Sequence, residues 1–349
     1  MPLPSLSIVI PVFKQPKRIA RTIDDAVIAV KRSGFERAEI VVVVADVQTR
    51  EVLAGLTPPL PLRVLEEELP GRFAARQQGI AAATGELVLL LDSRISIMPD
   101  ALRFVSDRIA DEHDLPIWSA HFEFNVQTPY GRFWSVIIPL VWWRYYSKPR
   151  TTSFGLETYD RYPKSTTCFL APRALLLDAK GQFSSYYVDT RHASDDTGLI
   201  RLLAARQPVN VSPDFACLYT PHETYRAFMY NVFNRGRVFI DSYGRPGTRF
   251  FPLLLAYFPL SLLAAVSALR RPRLVLGAAL AAPMPFVAAA LALRRERATV
   301  AAAGWVGPNW LAGMSIGLWY GLWLALRARF GRHQSRGARA TPNAVNKPY

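Results

Sequence analysis

Acidic residues and cysteines are both scarce in this chain. Its 349 residues include 27 Asp and Glu against 42 Lys and Arg, so the formal net charge is +15 at pH 7. No basic stripe with interleaved aromatic residues accompanies that charge, and we expect no nucleic-acid partner. Two cysteines, Cys168 and Cys217, give neither a disulfide framework nor zinc-ligand spacing, which is typical of a protein in a reducing compartment.

The N-terminal residues lack the features of a secretory signal peptide. Residues 1–5 carry no basic region, and the apolar run Ile8-Val9-Ile10 is far too short for a signal core. We therefore expect the first 245 residues to remain in the cytoplasm.

Runs long enough to cross a membrane occur three times after residue 245. They are residues 250–269, 274–293 and 308–326, each close to the ~20 residues that cross a hydrocarbon core. Basic clusters flank them and would be attracted to the anionic inner leaflet. These runs predict a membrane region with about three hydrophobic helices at 246–330, placed in the inner (plasma) membrane with membrane lipids as partners. The residues after it, 331–349, are predicted to form a disordered basic tail. The alternative is that they are buried core helices of a soluble protein.

Prolines and glycines in this region bear on its topology and packing. Three spans would put the basic tail outside, against the positive-inside tendency, so a re-entrant segment is an alternative. Pro283 and Pro285 make the second run the weakest span. Gly313, Gly317 and Gly321 form a smooth groove along one helix face. The groove would accommodate either another helix of the same chain or a second copy in a homodimer.

The N-terminal part alternates between strand and helix patterns. Strands are predicted where apolar, β-branched residues run together, at 6–12, 39–45, 63–65 and 87–91. Helices are predicted from apolar residues at helical spacing, at 18–30 and 72–83. This order predicts an α/β fold with a mostly parallel sheet.

The middle of the chain is less regular. The aromatic segment 133–143 suits either the membrane interface or an aromatic core, and residues 209–213 read as a strand and its exit.

Four short motifs stand in order along this pattern. They are Ser7-Ile8-Val9-Ile10-Pro11-Val12-Phe13; Val43-Val44-Ala45-Asp46; Gly71-Arg72-Phe73-Ala74-Ala75-Arg76 with Gly85-Glu86 and Asp92; and Ser194-Asp195-Asp196-Thr197-Gly198. Together they resemble the family 2 glycosyltransferases over residues 5–240, in the membrane-anchored branch that handles exopolysaccharides or lipid-linked sugars. The resemblance implies a GT-A fold, with a Rossmann-like cytoplasmic catalytic domain over residues 1–245.

In this resemblance the first two motifs would hold the base of a nucleotide-sugar donor. The Asp46 carboxylate ends a strand, where it can accept a hydrogen bond from the ring N–H of uracil or the amino edge of guanine. Pro11 and Val12 would form the apolar floor under the base. The alternatives are a helix-capping aspartate and ordinary packing.

Four arginines would supply positive charge to the donor. Arg72 and Arg76 lie one helical turn apart and share a face, where their planar forks can grip a diphosphate; a solvated basic face is the alternative. Arg235 and Arg237, just before the membrane region, could reach the donor or a lipid pyrophosphate, or could anchor the chain to the inner leaflet.

Asp92-Ser93-Arg94 follows the strand at 87–91. Relatives carry an Asp-x-Asp pair here that binds Mg²⁺ or Mn²⁺ together with the donor diphosphate. Here Arg94 takes the place of the second acid. Either Asp92 still holds the cation with another group such as His222, or Arg94 neutralises the leaving-group charge directly. We favour a retained, weakly bound cation.

The last motif carries the predicted catalytic base. An inverting transfer needs a carboxylate near the acceptor hydroxyl to remove its proton. By its position in the motif Asp196 is that base, and Asp195 orients or tunes it. The alternative is a pair of acids that cap a helix.

Taken together, these assignments predict an inverting hexosyltransferase. It would move a single sugar from a nucleotide-sugar, with UDP favoured, to a membrane-held, polyprenyl-linked acceptor in cell-envelope glycan or polysaccharide assembly. Processive relatives carry a Gln-x-x-Arg-Trp motif that this chain lacks, which favours single addition. Transfer to a polyprenyl phosphate or to a small hydrophobic lipid is the enzymatic alternative. A catalytically dead membrane assembly partner is the alternative of another class.

Overall fold

The computed structural model describes residues 2–112, 116–182, 184–187, 189, 193, 194 and 196–338. The strands of the described residues are β1 (Leu6–Val12), β2 (Ala38–Val44), β3 (Leu62–Glu66), β4 (Leu87–Leu91), β5 (Ile95–Ile97), β6 (Ile117–Phe124), β7 (Thr152–Phe154), β8 (Cys168–Pro172) and β9 (Val209–Tyr219). The helices are α1 (Pro16–Lys31), α2 (Val47–Ala54), α3 (Arg72–Ala82), α4 (Ala101–Glu112), α5 (Pro129–Val141), α6 (Trp143–Tyr146), α7 (Arg173–Gln182), α8 (Thr197–Ala204), α9 (Tyr225–Tyr243), α10 (Phe251–Arg270), α11 (Pro272–Ala281), α12 (Met284–Ala292) and α13 (Arg297–Ala338), with one 3₁₀ turn at Tyr159–Arg161.

The strands form one mixed sheet whose first half is parallel. Its order is β3-β2-β1-β4-β8-β6-β9-β5, and β7 pairs with β9. Ile8 of β1 lies between Ile40 of β2 and Leu89 of β4, in parallel register with both. Beyond β4 the sheet continues through β8, which runs antiparallel to β4. The predicted α/β fold is confirmed, and it brings the carboxyl ends of β1, β2 and β4 to one edge, where open α/β sheets bind their ligands.

Both faces of the central strands are covered. Every residue of β1 is buried, and Ile8 and Ile10 pack into the core under α1. Val9, between them, packs into the core on the opposite face, under α3. Strands buried on both sides read as continuous apolar runs, which is why the sequence pattern located them.

The close approach of α3 to β1 requires a glycine. A Cβ on Gly79 would lie 2.4 Å from the Val9 side chain and 3.3 Å from that of Val43. Because Gly79 has no side chain, α3 can lie directly on the strands. Its N-terminus, with Arg72 and Arg76, is thereby held over the edge of the sheet.

One local expectation needs correction, and one open alternative is decided. The strand at 209–213 does not end at Pro213 but continues to Tyr219, because its pairing with β6 shifts register between Ala120 and His121. A proline has no N–H for a ladder, and a bulge is where a strand tolerates one. The aromatic segment belongs largely to the core: Phe133 and Trp134 of α5 are buried.

The membrane region differs from three equal spans. Of the described helices, only α10 is long and apolar enough to cross a membrane. The second run is broken at Ala282 and Pro283 into α11 and α12, of 10 and 9 residues, and each is about half the length that a hydrocarbon core requires. The third run is part of α13, which extends to Ala338. The predicted disordered tail is therefore helical at 331–338, and residues 339–349 lie outside the described residues.

The glycine groove of α13 is filled from within the chain. Added Cβ atoms on Gly317 and Gly321 would lie 2.2 Å from the Phe233 carbonyl oxygen and 2.7 Å from that of Arg237 in α9. Gly236 of α9 takes part in the same contact, because a Cβ added to it would lie 3.0 Å from the Gly317 Cα. The alternative of intrachain packing is confirmed, because α9 covers the groove at Gly313, Gly317 and Gly321, and a second copy could use it only by displacing α9.

Candidate functional site

The site begins where β4 ends. The Asp92 N–H donates to the Thr167 carbonyl at 2.8 Å, and the Ser93 carbonyl accepts from the Thr22 hydroxyl at 3.1 Å. Asp92 and Ser93 are both buried. These bonds turn the chain out of the sheet and fix the direction of the Asp92 carboxylate at its edge.

Arg94 connects the two groups that were predicted to hold a metal. Its Nε and Nη2 lie 3.4 and 3.5 Å from the two carboxylate oxygens of Asp92. Its Nη1 lies 2.8 Å from Nε2 of His222. Since arginine can only donate, the imidazole accepts this bond. The side chains of Arg94 and Asp92 are about 10% exposed, so the arrangement is shielded from water.

The charges of this group are strongly coupled. Burial would raise the pKa of Asp92, but Arg94, Arg72 and Arg76 outweigh it and hold that pKa well below its usual range. Burial and the charge of Arg94 lower the pKa of His222 to about 4. Asp92 is thus ionised and His222 neutral near pH 7.

The second arginine of α3 links this group to the predicted base. Arg76 is buried at 3% exposure, and its Nη1 lies 3.5 Å from Oδ1 of Asp196. Arg72 is exposed one turn earlier, and its charge lowers the pKa of both Asp92 and His222. The two arginines therefore do face the site, as predicted from their spacing.

Asp196 is oriented by the segment before β8. Its carboxylate accepts from the Thr166 hydroxyl, from the Thr166 N–H at 3.3 Å and from the Ser165 hydroxyl at 3.4 Å. Its side chain does not cap α8, although it stands at the N-cap position. The helix-capping alternative for Asp196 is therefore wrong. Asp195 lies outside the described residues.

A buried acid on α9 pins the segment that leads to Asp196. Asp241 accepts from the Ser194 and Tyr186 N–H groups, both at 2.7 Å, and from the Ser185 hydroxyl at 2.9 Å. The Ser242 hydroxyl adds a bond to that of Ser194 at 2.7 Å. The backbone two residues before Asp196 is thus fixed to α9.

A cleft of about 880 Å³ opens beside Arg94. The cations that line it are Lys14, Lys17, Arg18, Arg21 and Arg94, and the acids are Asp46 and Glu223. Its excess of positive charge suits an anionic ligand, and its volume falls in the range of small-molecule sites.

Asp46 does two things at the rim of this cleft. It caps α2, accepting from the Thr49 N–H at 3.0 Å, and its other oxygen accepts from the Lys14 N–H at 2.6 Å. The capping alternative is correct, while the carboxylate still lines the cleft. Pro11 and Val12 are buried behind it, so they are packed as core residues.

The arginines of α9 have separate environments. Arg235 donates from Nε to Asn231 at 3.1 Å and lies over the Trp134 ring at 4.6 Å. Its charge, together with that of Arg94, keeps the pKa of Tyr219 below the usual value despite burial. Arg235 thus lies near the site. The backbone of Arg237 packs against α13, where an added Cβ on Gly317 would lie 3.0 Å from its N, while burial and the charge of Arg72 lower the pKa of its side chain.

The donor set does not fit a divalent cation. Asp92 and His222 were the predicted ligands, and Arg94 bonds to both. Within the described part of the chain, no three His, Cys, Asp or Glu side chains group together as a metal site. The contacts that a retained Mg²⁺ or Mn²⁺ would need at Asp92 and His222 are taken by Arg94 in this arrangement.

Sequence reasoning missed several groups. Thr166, which orients Asp196, and Asp241 lie far from it along the chain and carry no motif. Phe13 was part of a quoted motif but was not assigned a role; it is 58% exposed beside Lys14, which takes the left-handed conformation at φ 53°. An aromatic residue directly after a buried strand was the available signal.

Residues 7–176 match the model of the family described as Glycosyl transferase family 2, a little under half of the chain. Over these residues the chain is similar to glycosyltransferase family 2 domains. The enzyme class predicted from the four motifs is confirmed. No curated protein matches the sequence.

Solved structures resemble the chain at low identity. Mannosyltransferase PcManGT from Pyrobaculum calidifontis, in complex with GDP-Man and Mn²⁺, is 16% identical with a TM-score of 0.52, over 92% of this chain and 87% of that one. S. aureus TarS 1–349 in complex with UDP-GlcNAc is 18% identical with a TM-score of 0.46, over 68% of this chain and 67% of that one. The chain covers 40% of the longer TarS structure. The likeness to PcManGT is one of fold.

Proposed function

We propose that the chain is an inverting glycosyltransferase that moves a single sugar from a nucleotide-sugar to a membrane-held acceptor. The observation that carries the proposal is the contact between Arg76 and Asp196, which brings a cation able to bind the donor next to the carboxylate of the proposed base. A transferase of this kind needs those two functions within one sugar of each other. Asp92 also lies beside these arginines, but Arg94 bonds to both of its carboxylate oxygens.

The bond changes assign each group a role. The acceptor hydroxyl oxygen attacks the anomeric carbon from the face opposite the leaving group. The bond from that carbon to the β-phosphate oxygen breaks, and its electron pair stays on the phosphate. The hydroxyl proton passes to the Asp196 carboxylate, which acts as general base. Arg72 and Arg76 bind the departing diphosphate.

The nucleoside is proposed to lie in the 880 Å³ cleft. Asp46 offers a carboxylate at its rim, and the neighbour of Lys14, Phe13, has an exposed ring that is proposed to stack on the base. Lys14 and Arg18 supply further charge there. UDP remains the favoured nucleotide, and the comparisons make GDP-sugars the second series to test.

The acceptor is proposed to be a polyprenyl-linked glycan precursor at the cytoplasmic face of the inner membrane. Leu253, Leu260 and Leu263 of α10 are each more than 60% exposed, and an apolar helix so open is accommodated by lipid. α10 starts at the edge of the α/β domain, where the Arg249 N–H donates to Asp160 at 3.2 Å. An acceptor anchored beside α10 would be presented to the domain for cell-envelope glycan assembly.

Replacement of the base tests the proposal. Asp196→Asn keeps the shape of the side chain but cannot take a proton, so we expect kcat to fall by about 100-fold or more. Purified full-length chain would be assayed with a panel of UDP- and GDP-sugars and membrane lipid extract. Asp107→Asn, an exposed acid on α4, is the matched control and should transfer normally. Sugar transfer that survives Asp196→Asn would remove Asp196 from the mechanism. Donor binding without any turnover by the unchanged chain would favour the catalytically dead alternative.

A further inference from the structure

Arg94 occupies the place where a divalent cation would be held. Its guanidinium contacts both carboxylate oxygens of Asp92, and its Nη1 lies 2.8 Å from Nε2 of His222. His222 accepts that bond with the lone pair that a metal would need. The two groups that could have ligated a cation are therefore both bound to a guanidinium.

The surroundings would also repel a second cation. Arg76 is buried beside this group, and Arg72 acts on the same carboxylate. Two positive charges at about 4 Å repel each other strongly in a partly buried site. Asp92 is shared among these guanidiniums and Arg76 also pairs with Asp196, so little uncompensated negative charge is left to hold a divalent ion. The substitution of arginine for the second acid thus changes the kind of site that this strand end can form.

We propose that the transferase works without a divalent cation, with Arg94 supplying the positive charge that the departing diphosphate requires. The proposal rests on the proposed function and specifies its cofactor requirement. When the bond from the anomeric carbon to the β-phosphate oxygen breaks, the diphosphate gains one negative charge. A guanidinium already fixed in position stabilises that charge without reorganising.

The fixation of Arg94 suits this role. Asp92 holds the guanidinium from one side and His222 holds it from another, and the charge persists because arginine does not lose its proton at accessible pH. Arg94 also lines the cleft that contains Asp46 and Lys14. The same side chain therefore faces the proposed nucleotide and belongs to the buried charged group. A metal ion would have to bind from solution, whereas the Arg94 guanidinium is part of the chain.

Nucleotide binding separates the metal question from turnover. Binding of UDP and of GDP to the purified full-length chain would be measured by titration calorimetry in excess EDTA and again with Mn²⁺ or Mg²⁺. We expect the affinity to be the same in each condition. Sugar transfer should likewise continue in EDTA.

Two variants make the test specific. Arg94→Ala should weaken UDP binding by about tenfold or more, since a hydrogen bond to a charged group contributes about 1.5–3 kcal/mol. Arg94→Asp restores the Asp-x-Asp spacing, so we expect it to lose UDP binding in EDTA and to regain it with Mn²⁺. Arg103→Ala removes an exposed arginine of α4 and should bind UDP normally. Thermal unfolding of each variant checks that it is folded.

The outcomes distinguish the two levels of the proposal. Nucleotide binding or transfer by the unchanged chain that requires Mn²⁺ or Mg²⁺ would overturn the metal-free site while leaving the proposed function in place. Failure of both nucleotides to bind in every condition would count against the proposed function, and against this inference with it.

Discussion

Lys164 is a buried cation that the proposed reaction does not use. Its side chain is 3% exposed, its Nζ lies 3.9 Å from the Tyr159 ring centroid, and it donates to the Tyr162 carbonyl at 3.1 Å. Burial lowers its pKa to about 7, although the charge of Asp160 opposes that shift. A residue of this kind makes the stability of the domain depend on pH.

The sign of that dependence follows from proton binding. In the unfolded chain Lys164 has its ordinary pKa of 10.5, so between pH 7 and that value the unfolded state binds more protons and stability rises with pH. Below pH 7 both states are protonated and the folded state bears the full cost of the buried charge. Lys164→Met removes this titration. We expect the stability of the variant relative to the unchanged chain to be greatest at about pH 6 and to fall by about 1.4 kcal/mol per pH unit above pH 7.

Chemical unfolding of both chains, followed by tryptophan fluorescence near pH 6 and near pH 9, measures this difference. Lys148→Met, which removes an exposed lysine, should show no such change. A pH-independent difference for Lys164→Met would mean that Lys164 keeps its ordinary pKa in the folded chain.

At the scale of elements, α9 joins the candidate site to α13. One part of it carries Asp241, which fixes the segment before Asp196. Another part carries Gly236, which lies directly on α13 opposite Gly317. Loss of the second contact would therefore disturb the first, because both belong to one rigid helix.

An alanine at Gly317 tests the contact. Its Cβ would lie 2.2 Å from the Phe233 carbonyl oxygen and 2.9 Å from the Gly236 Cα, so the two helices would have to separate. We expect Gly317→Ala to destabilise the chain by about 1–3 kcal/mol, as overpacking does, and to lower its thermal unfolding temperature. Gly277→Ala in α11 is the control, since nothing lies within 4 Å of its added Cβ. An unfolding temperature as high in Gly317→Ala as in Gly277→Ala would show that α9 and α13 are not so closely packed.

For the whole molecule, the contacts at the two ends of the membrane region bear on topology. The chain leaves the α/β domain at Arg249, which bonds to Asp160, and it returns where Arg295 donates to the Ser135 carbonyl at 2.8 Å. α13 then runs back along α9. Both ends of 250–295 thus lie on the domain. If this segment enters a membrane as proposed, it crosses an even number of times or enters and leaves on one side.

Cysteine labelling measures that topology. We expect Arg327→Cys near the end of α13 to be protected in intact cells and labelled only after permeabilisation, as for Glu36→Cys in the α/β domain. Arg271→Cys, at the turn after α10, should be labelled from outside if α10 spans the membrane. Background labelling should be low because Cys168 and Cys217 are both fully buried. Labelling of Arg327→Cys in intact cells would instead support three spans, with the end of α13 outside.

The sequence predicted those features that depend on residues close together along the chain. The strands at 6–12 and 87–91 and the helix at 72–83 came within a residue of β1, β4 and α3, because apolar runs and helical spacing are local. The pair Arg72 and Arg76 was placed on one face by the same rule. The second hydrophobic run was longer than either helix it forms, since composition alone does not show the break at Pro283.

The sequence by itself determined the first four strands and the helices at 18–30 and 72–83, the strand end that carries Asp92, and the arginine in place of the second acid. Only the tertiary structure decided what surrounds that acid. Arg94 meets His222 across 128 positions of the chain, and Arg76 meets Asp196 across 120. Such contacts depend on which strand ends and helix ends the sheet order brings together, and no local pattern records that order. From the sequence alone, Asp92 and His222 could still have held a metal beside Arg94. The fold instead puts both of these side chains in contact with the Arg94 guanidinium.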